Sequence, residues 1–346
     1  MKLVANIGNH GELARQARIS RALGSPFIAD VLEAGQRQLT RAPRTAALIA
    51  GWPGDPAAAA LGMRFNAALN ALARRGTPPA LQALYERRHE DFDGAIGEAL
   101  AAEDQFVADW MRDMPQTNEV GRAASLFSAL MVLKGDYDLP FELFEIGSSA
   151  GLNLNMARYA YDLGGAEAGD AGSPVRVAPE WRGAIPVVAP IEVASARGID
   201  LSPLDPADPA TVERLLSFVW ADQPARARRL EQALLLALQH PPRVERGNAV
   251  PWIAARLAEP QAQGTCRVVF HSMVLQYLAA ADKAAVTGAI RAAGARATRD
   301  RPFGWISFEW TEGRGEVRLM LTSWPLGVTR HLATCHPYGN WVDWHG

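Results

Sequence analysis

Neither sign of charge dominates the chain: 346 residues carry 35 Lys and Arg against 37 Asp and Glu, a formal net charge of −2. A nucleic-acid binder or a protein held on an anionic membrane surface needs a basic face, so neither partner is expected. Runs of like charge are missing too. The densest stretch, Glu86-Arg87-Arg88-His89-Glu90-Asp91, mixes signs and reads as a solvated helix face. Cysteine is scarce: the two present, Cys266 and Cys335, exclude a disulfide framework and have no metal-ligand spacing. No apolar run reaches the roughly 18 residues that cross a bilayer. The first twenty residues lack the apolar stretch of a secretory signal, so a reducing cytoplasm is the expected setting. His331, His336 and His345 lie on and after an expected hairpin without zinc-ligand spacing, and no metal is expected. Internal repeats and low-complexity tracts are absent.

What is present is ordinary globular composition, 49% apolar and 21% charged, long enough for one large α/β domain and a smaller unit. Apolar residues recur at helical steps over 12–23, 26–39, 57–74, 78–87 and 95–114. Breaks at Trp52-Pro53-Gly54-Asp55-Pro56 and Gly76-Thr77-Pro78-Pro79 separate these segments. Residues 1–115 therefore read as an all-helical unit. The texture changes at 116–346. A helix is expected over 118–134, capped by Thr117 or Asn118. Phe141-Glu142-Leu143-Phe144-Glu145-Ile146 reads as a buried strand, followed by a helix over 152–161 and a Gly- and Pro-rich loop over 164–183. Further strands are expected over 197–201, 243–246, 266–270 and 305–310, with helices over 252–257 and 282–294 between them. A final hairpin, 317–323 with 329–334, turns around Pro325-Leu326-Gly327, and 206–241 is a helical insertion. Alternation of strand and helix implies a mostly parallel sheet with helices on both faces.

The turn Glu145-Ile146-Gly147-Ser148-Ser149-Ala150-Gly151 follows the first strand. Small residues there let a ligand sit against backbone, and in open α/β sheets ligands bind beyond the carboxyl ends of the strands. The alternative is a turn that is merely tightly packed. The nicotinamide fingerprint Gly-x-Gly-x-x-Gly fails, because Ser149 and Leu152 occupy its second and third positions. The turn resembles Glu-x-Gly-x-Gly-x-Gly, the first motif of class I S-adenosylmethionine-dependent methyltransferases, with Ser149 in place of the central glycine. Gly198-Ile199-Asp200-Leu201-Ser202-Pro203 resembles that family's second-strand end, Arg246-Gly247-Asn248-Ala249 its Gly-Asp-Ala motif, and residues 268–278 its fourth strand and exit loop. The hairpin resembles its sixth and seventh strands. The resemblance covers about 115–346. Ala14-Arg15-Gln16-Ala17-Arg18, Gln116-Thr117-Asn118-Glu119-Val120-Gly121-Arg122, residues 145–153, 198–205 and 270–278 also resemble a bacterial family known only as domain of unknown function 2332, which implies no activity.

The methyltransferase resemblance implies a Rossmann-like, seven-stranded sheet after the helical unit, S-adenosylmethionine as cofactor and a small-molecule acceptor. Glu145, Gly147, Ser148, Ser149 and Gly151 would form one wall of its pocket. Asp200 would accept the ribose hydroxyls with Leu201 beside it; Asp200 reads alternatively as a turn cap before Pro203, and Asp205 is a rival. Asn248 and Ala249 would meet the adenine, unless Gly247-Asn248 is an ordinary turn. A guanidinium fork at Arg122 matches the cofactor carboxylate, with Asn118 and Glu119 towards substrate; the alternative is a capped helix start. His271 is placed as a general base and Glu309 as a base or cation partner. Each reads alternatively as structural, a histidine bonded to its neighbours and a satisfied strand-end carboxylate. Tyr277 is a substrate contact or core. A non-catalytic binding protein that kept the fold and an NAD(P)-dependent oxidoreductase are the rival functions. The sequence leaves the oligomeric state open.

Overall fold

A computed structural model describes residues 11–57 and 59–346, and the chain divides into two compact units. The first comprises Met1–Thr117 and Pro209–Ala227, the second Asn118–Asp208 and Arg228–Gly346.

The described part of the first unit is helical: α1 (Glu12–Ala22), α2 (Pro26–Gln38), α3 (Pro43–Ala50), α4 (Leu61–Arg74), α5 (Pro79–Tyr85) and α6 (Phe92–Arg112). Local chemistry sets several of their starts. Ser25 accepts a hydrogen bond from Ile28 N and Pro26 stands at the first position of α2. Asp91 accepts from Gly94 N at 2.8 Å, so α6 opens at Phe92, three residues before its apolar pattern becomes regular. The Pro- and Gly-rich break before α4 runs on to Ala60, which takes a left-handed backbone, so α4 starts at Leu61 rather than 57. Helix α3 is short and mostly solvent-facing, with only Thr45 buried in it. Asn70 on α4 donates to Ser217 O and Val219 O at 2.9 and 3.0 Å, which joins Pro209–Ala227 to this unit.

The second unit contains α7 (Ala123–Tyr137), β1 (Phe141–Ile146), β2 (Ala160–Asp162), β3 (Glu167–Gly169), β4 (Arg176–Val177), β5 (Glu180–Gly183) and β6 (Val193–Asp200). Next along the chain come α8 (Pro209–Ser217), which belongs to the first unit, and α9 (Pro224–Gln239), which begins there and continues into the second. Then come β7 (Val244–Arg246), α10 (Ala249–Ala258), β8 (Cys266–Ser272), α11 (Ala280–Gly294), β9 (Phe303–Trp310), β10 (Val317–Trp324), β11 (Val328–Cys335) and β12 (Trp341–Trp344). One sheet has nine strands in the order β5-β12-β11-β10-β9-β8-β1-β6-β7, and β2 pairs with β3 and β4 in a second, small sheet. The expected seven strands are thus exceeded: β5 and β12 extend the sheet beyond the hairpin.

Strands β7, β6, β1, β8 and β9 are mutually parallel, and β9, β10, β11 and β12 form an antiparallel meander. In the parallel part the order reverses between β1 and β8, which makes their carboxyl ends a topological switch point. Alternation sends Phe144, Ile146, Val269 and Phe303 to the face covered by α10 and α11, where they cluster with Ile253, Leu257, Val286 and Ile290. Full burial of each aliphatic side chain contributes about 1.5–3 kcal/mol. On the other face Gly304 lies against Leu133 of α7, so helices cover both sides.

Two expected helices are corrected. Residues 118–134 begin as a 3-10 turn, Val120–Arg122, before α7, because Asn118 takes φ +36° and the Glu119 side chain accepts from Gly121 N at 2.9 Å. Residues 152–161 form a 3-10 segment, Leu152–Arg158, and then β2. There Asn155 donates to His240 O and Tyr159 and Tyr161 donate to Leu152 O and Met156 O, contacts that replace a helical ladder. The stretch 164–183 likewise contains β3, β4 and β5 rather than being a plain loop.

Candidate functional site

At the carboxyl ends of β1, β6 and β7 three separated motifs are joined through backbone. Gly147 N and Ser148 N both donate to Ile199 O, at 2.9 and 3.1 Å. Ser149 N donates to Asp200 Oδ2 and Ser202 N to Asp200 Oδ1, each at 2.8 Å. Gly247 N donates to Asp200 O at 2.9 Å. Gly147, Ser149 and Gly151 have φ of +74°, +55° and +71°, so the turn needs glycine at two positions and strains a serine at the third. Asp200 is therefore the knot of the loops. Each of its oxygens takes one amide and keeps a lone pair.

The glycines do not open onto empty space. A Cβ at Gly147 would sit 2.4 Å from Val274 Cγ2, and one at Gly151 would sit 2.5 Å from Pro242 Cβ and 2.7 Å from Val244 Cγ2. The segment after the turn is 3-10 and seven residues long, so it offers no α-helix N-terminus to an anion.

Glu145 is buried on the α7 face, 1% exposed, with Oε2 unpartnered, and Asn153 Oδ1 nearby in the chain is also orphaned. Burial pushes the Glu145 carboxyl well above the usual range, opposed by Ser148 and Asn153 and reinforced by Asp200. On the same face Arg122 is buried; its Nε donates to Pro337 O at 2.9 Å and its guanidinium lies 5.9 Å from the Phe308 ring centre. One of its terminal nitrogens reaches Ser272 O at 3.3 Å. Burial lowers its pKa, with Glu119 the largest opposing influence. Glu119 in turn pairs with Arg229 at 3.5 Å, and Asn118 Oδ1 accepts from Leu152 N at 3.1 Å. Asn118 thus braces the exit of the β1 turn, and Glu119 ties the start of α7 to α9.

His271 and Glu309 lie on the opposite face, with Trp305. His271 is fully buried; its Nδ1 lies 2.7 Å from Glu309 Oε1 and its Nε2 3.0 Å from the Trp305 indole nitrogen. An indole nitrogen only donates, so His271 Nε2 accepts and the proton sits on Nδ1, donated to Glu309. Both ring nitrogens are engaged, and His271 has none left for a substrate. Glu309 Oε1 also accepts from Val274 N and Leu275 N, at 3.0 and 3.3 Å. All these donors converge on Oε1, so Oε2 keeps its lone pairs. Sheet alternation explains the separation: Glu145 shares a face with Leu143, whereas His271 and Trp305 share one with Val269.

The remaining expected residues sit at the rim. Asn248 caps α10, its Oδ1 accepting from Val250 N at 2.8 Å, and Ala249 is half-buried against the α10 core. Leu201 is 68% exposed beside Asp200, and Tyr277 is 43% exposed, which excludes it from the core. Asn153, Val274 and Trp305 were not read from the sequence as site residues. Trp305 was legible, because Trp305, Ser307 and Glu309 fall on one strand face at steps of two. Among the described residues no group of three or more His, Cys, Asp or Glu could hold a metal ion, and no helix is long and apolar enough to cross a membrane.

The residues fit an adenosyl group in part. Asp200 retains acceptors suited to a diol, and exposed Leu201 offers an apolar surface to a base. The approach over Gly147 is closed by Val274. No curated protein and no solved structure matches the chain. A family model does, over residues 11–344, and its description is an uncharacterized protein conserved in bacteria. The chain belongs to that family, DUF2332.

Proposed function

We propose that the second unit binds S-adenosylmethionine at the carboxyl ends of β1, β6 and β7 and acts as a methyltransferase on a small molecule. The observation that carries this reading is the knot at Asp200, which ties the β1 turn, the β6 end and the Gly247-Asn248 turn together at the switch point. In this reading Asp200 receives the ribose hydroxyls on its free lone pairs, Leu201 and Ala249 flank the adenine, and the Asn248 amide nitrogen meets its edge. When bound, the cofactor supplies an electrophilic methyl group on sulfur. The protein's own contribution is alignment, which alone is worth several kcal/mol. Glu309 Oε2 is the acceptor left for a cationic or protonated acceptor group; His271 orients Glu309 instead of acting as the base.

Calorimetry tests the reading. S-adenosylhomocysteine is expected to bind with micromolar affinity, and Asp200→Asn to weaken it at least tenfold; absence of heat with both S-adenosylmethionine and S-adenosylhomocysteine would exclude it. A non-catalytic binding role has one observation in its favour, the engagement of both His271 nitrogens. Binding of S-adenosylhomocysteine with no consumption of S-adenosylmethionine across a panel of amine, hydroxyl and thiol acceptors would select it.

A further inference from the structure

The β8 exit turn holds three features that the fold itself does not require. Val274 fills the space over Gly147, within 2.4 Å of where a Cβ would stand. Met273 takes a left-handed backbone, φ +59°, which a long side chain rarely adopts. The turn is tied to β9 at two places: Phe308 O accepts from Met273 N at 2.9 Å, and Glu309 Oε1 accepts from both Val274 N and Leu275 N while His271, fixed by Trp305, donates to the same atom. The side chains that hold the turn thus lie on β8 and β9, and the residue that blocks the cradle lies on the turn.

We infer that residues 273–277 are a gate over the β1 turn, and that Glu309 is the positioning residue that latches it shut. Releasing the two amides from Glu309 lets Val274 withdraw from Gly147, with the strained Met273, still tied to Phe308 O, as the hinge, and opens the approach to the turn. His271 and Trp305 orient the latch. The inference rests on the reading that the β1 turn faces a ligand, but the latch itself is testable without one.

Hydrogen exchange on the unliganded full chain reads the latch. In Glu309→Ala the peptide carrying the Val274 and Leu275 amides is expected to exchange at least tenfold faster, with β1 and the middle of β8 unchanged. Glu309→Gln, which keeps a carbonyl acceptor, is expected to restore part of the protection. Unchanged exchange at Val274 and Leu275, or acceleration spread through β1 and β8, overturns the latch. Val274→Ala keeps every Glu309 contact and thins the plug. With S-adenosylhomocysteine as probe, its association rate is expected to rise at least fivefold over wild type while amide exchange stays as in wild type. Binding to wild type with an unaltered association rate in Val274→Ala overturns the gate and leaves the cofactor reading standing. No binding to either protein refutes the cofactor reading, and the exchange measurement then decides the latch alone.

Discussion

Glu145 carries a carboxyl group whose burial favours its protonated form. It is 1% exposed with an unpartnered oxygen, and burial raises its folded pKa above the roughly 4.3 of an unfolded glutamate. The folded state therefore holds the proton more tightly than the unfolded state does. The contribution to stability is complete below the unfolded value and is lost as pH rises through the folded one, by up to about 1.4 kcal/mol per pH unit. Glu145→Gln removes this titration. Urea midpoints from pH 5 to 8 are expected to fall in wild type and to stay flatter in the variant, which becomes the more stable protein at pH 8; parallel slopes would refute the assignment. His271 presents the opposite case, a buried ring with both nitrogens satisfied. His271→Ala leaves a cavity, an unpaired Trp305 N–H and a Glu309 without its orienting donor, and is expected to cost about 2–4 kcal/mol in chemical denaturation. A loss under 1 kcal/mol would mean that the bonds are not made in solution.

The β1 turn shows how one element's sequence can serve two purposes. Its glycines satisfy positive φ and at the same time admit Val274, Pro242 and Val244. Gly147→Ala adds both a left-handed backbone penalty of about 1–2 kcal/mol and overpacking of about 1–3 kcal/mol. Val274→Ala in the same chain is expected to recover the overpacking portion alone, so a double-mutant cycle on thermal or urea unfolding should show coupling of at least 1 kcal/mol; strict additivity would place Val274 elsewhere. Elements of this kind were legible in the sequence to different depths. The β1 strand was read to its ends because Phe141, Leu143, Phe144 and Ile146 form a short apolar run bounded by proline and glycine. The β8 to β11 segments were found with only their ends shortened. Strand β12, four residues with Asp343 among aromatics, is too short to show alternation, and α3, eight residues starting at Pro43, is too short to stand out from its neighbours. Residues 152–161 carry helical apolar spacing yet form a 3-10 segment and β2, where the Tyr159 and Tyr161 hydroxyls bond carbonyls of the same segment and Asn155 reaches His240 O. Of the site, Asp200 at a strand end was implied by the methyltransferase resemblance, and the backbone amides it gathers are seen only in the folded chain. The separation of Glu145 from His271 was also available, since alternation along paired strands sends them to opposite faces, but only once the register was known.

Across the whole molecule the chain is not divided at a single point. It enters the sheet unit at Asn118, leaves after Asp208 for Pro209–Ala227, and returns at Arg228, within α9. The proposed cofactor contacts all fall in the sheet unit, so binding there acts on that unit's stability by mass action. A ligand present at a hundred times its Kd adds about 2.7 kcal/mol to the state that binds it. For a unit of 150–250 residues each kcal/mol moves the midpoint by about 2–4 °C, so saturating S-adenosylhomocysteine is expected to raise Tm by about 5–10 °C. NADH at the same concentration is expected to leave Tm unmoved, because the β1 turn lacks Gly-x-Gly-x-x-Gly spacing. The comparison separates the two cofactor classes on one protein sample. A shift with NADH and none with S-adenosylhomocysteine would reverse the assignment, since the same Asp200 carboxylate can receive the ribose diol of either dinucleotide or sulfonium cofactor.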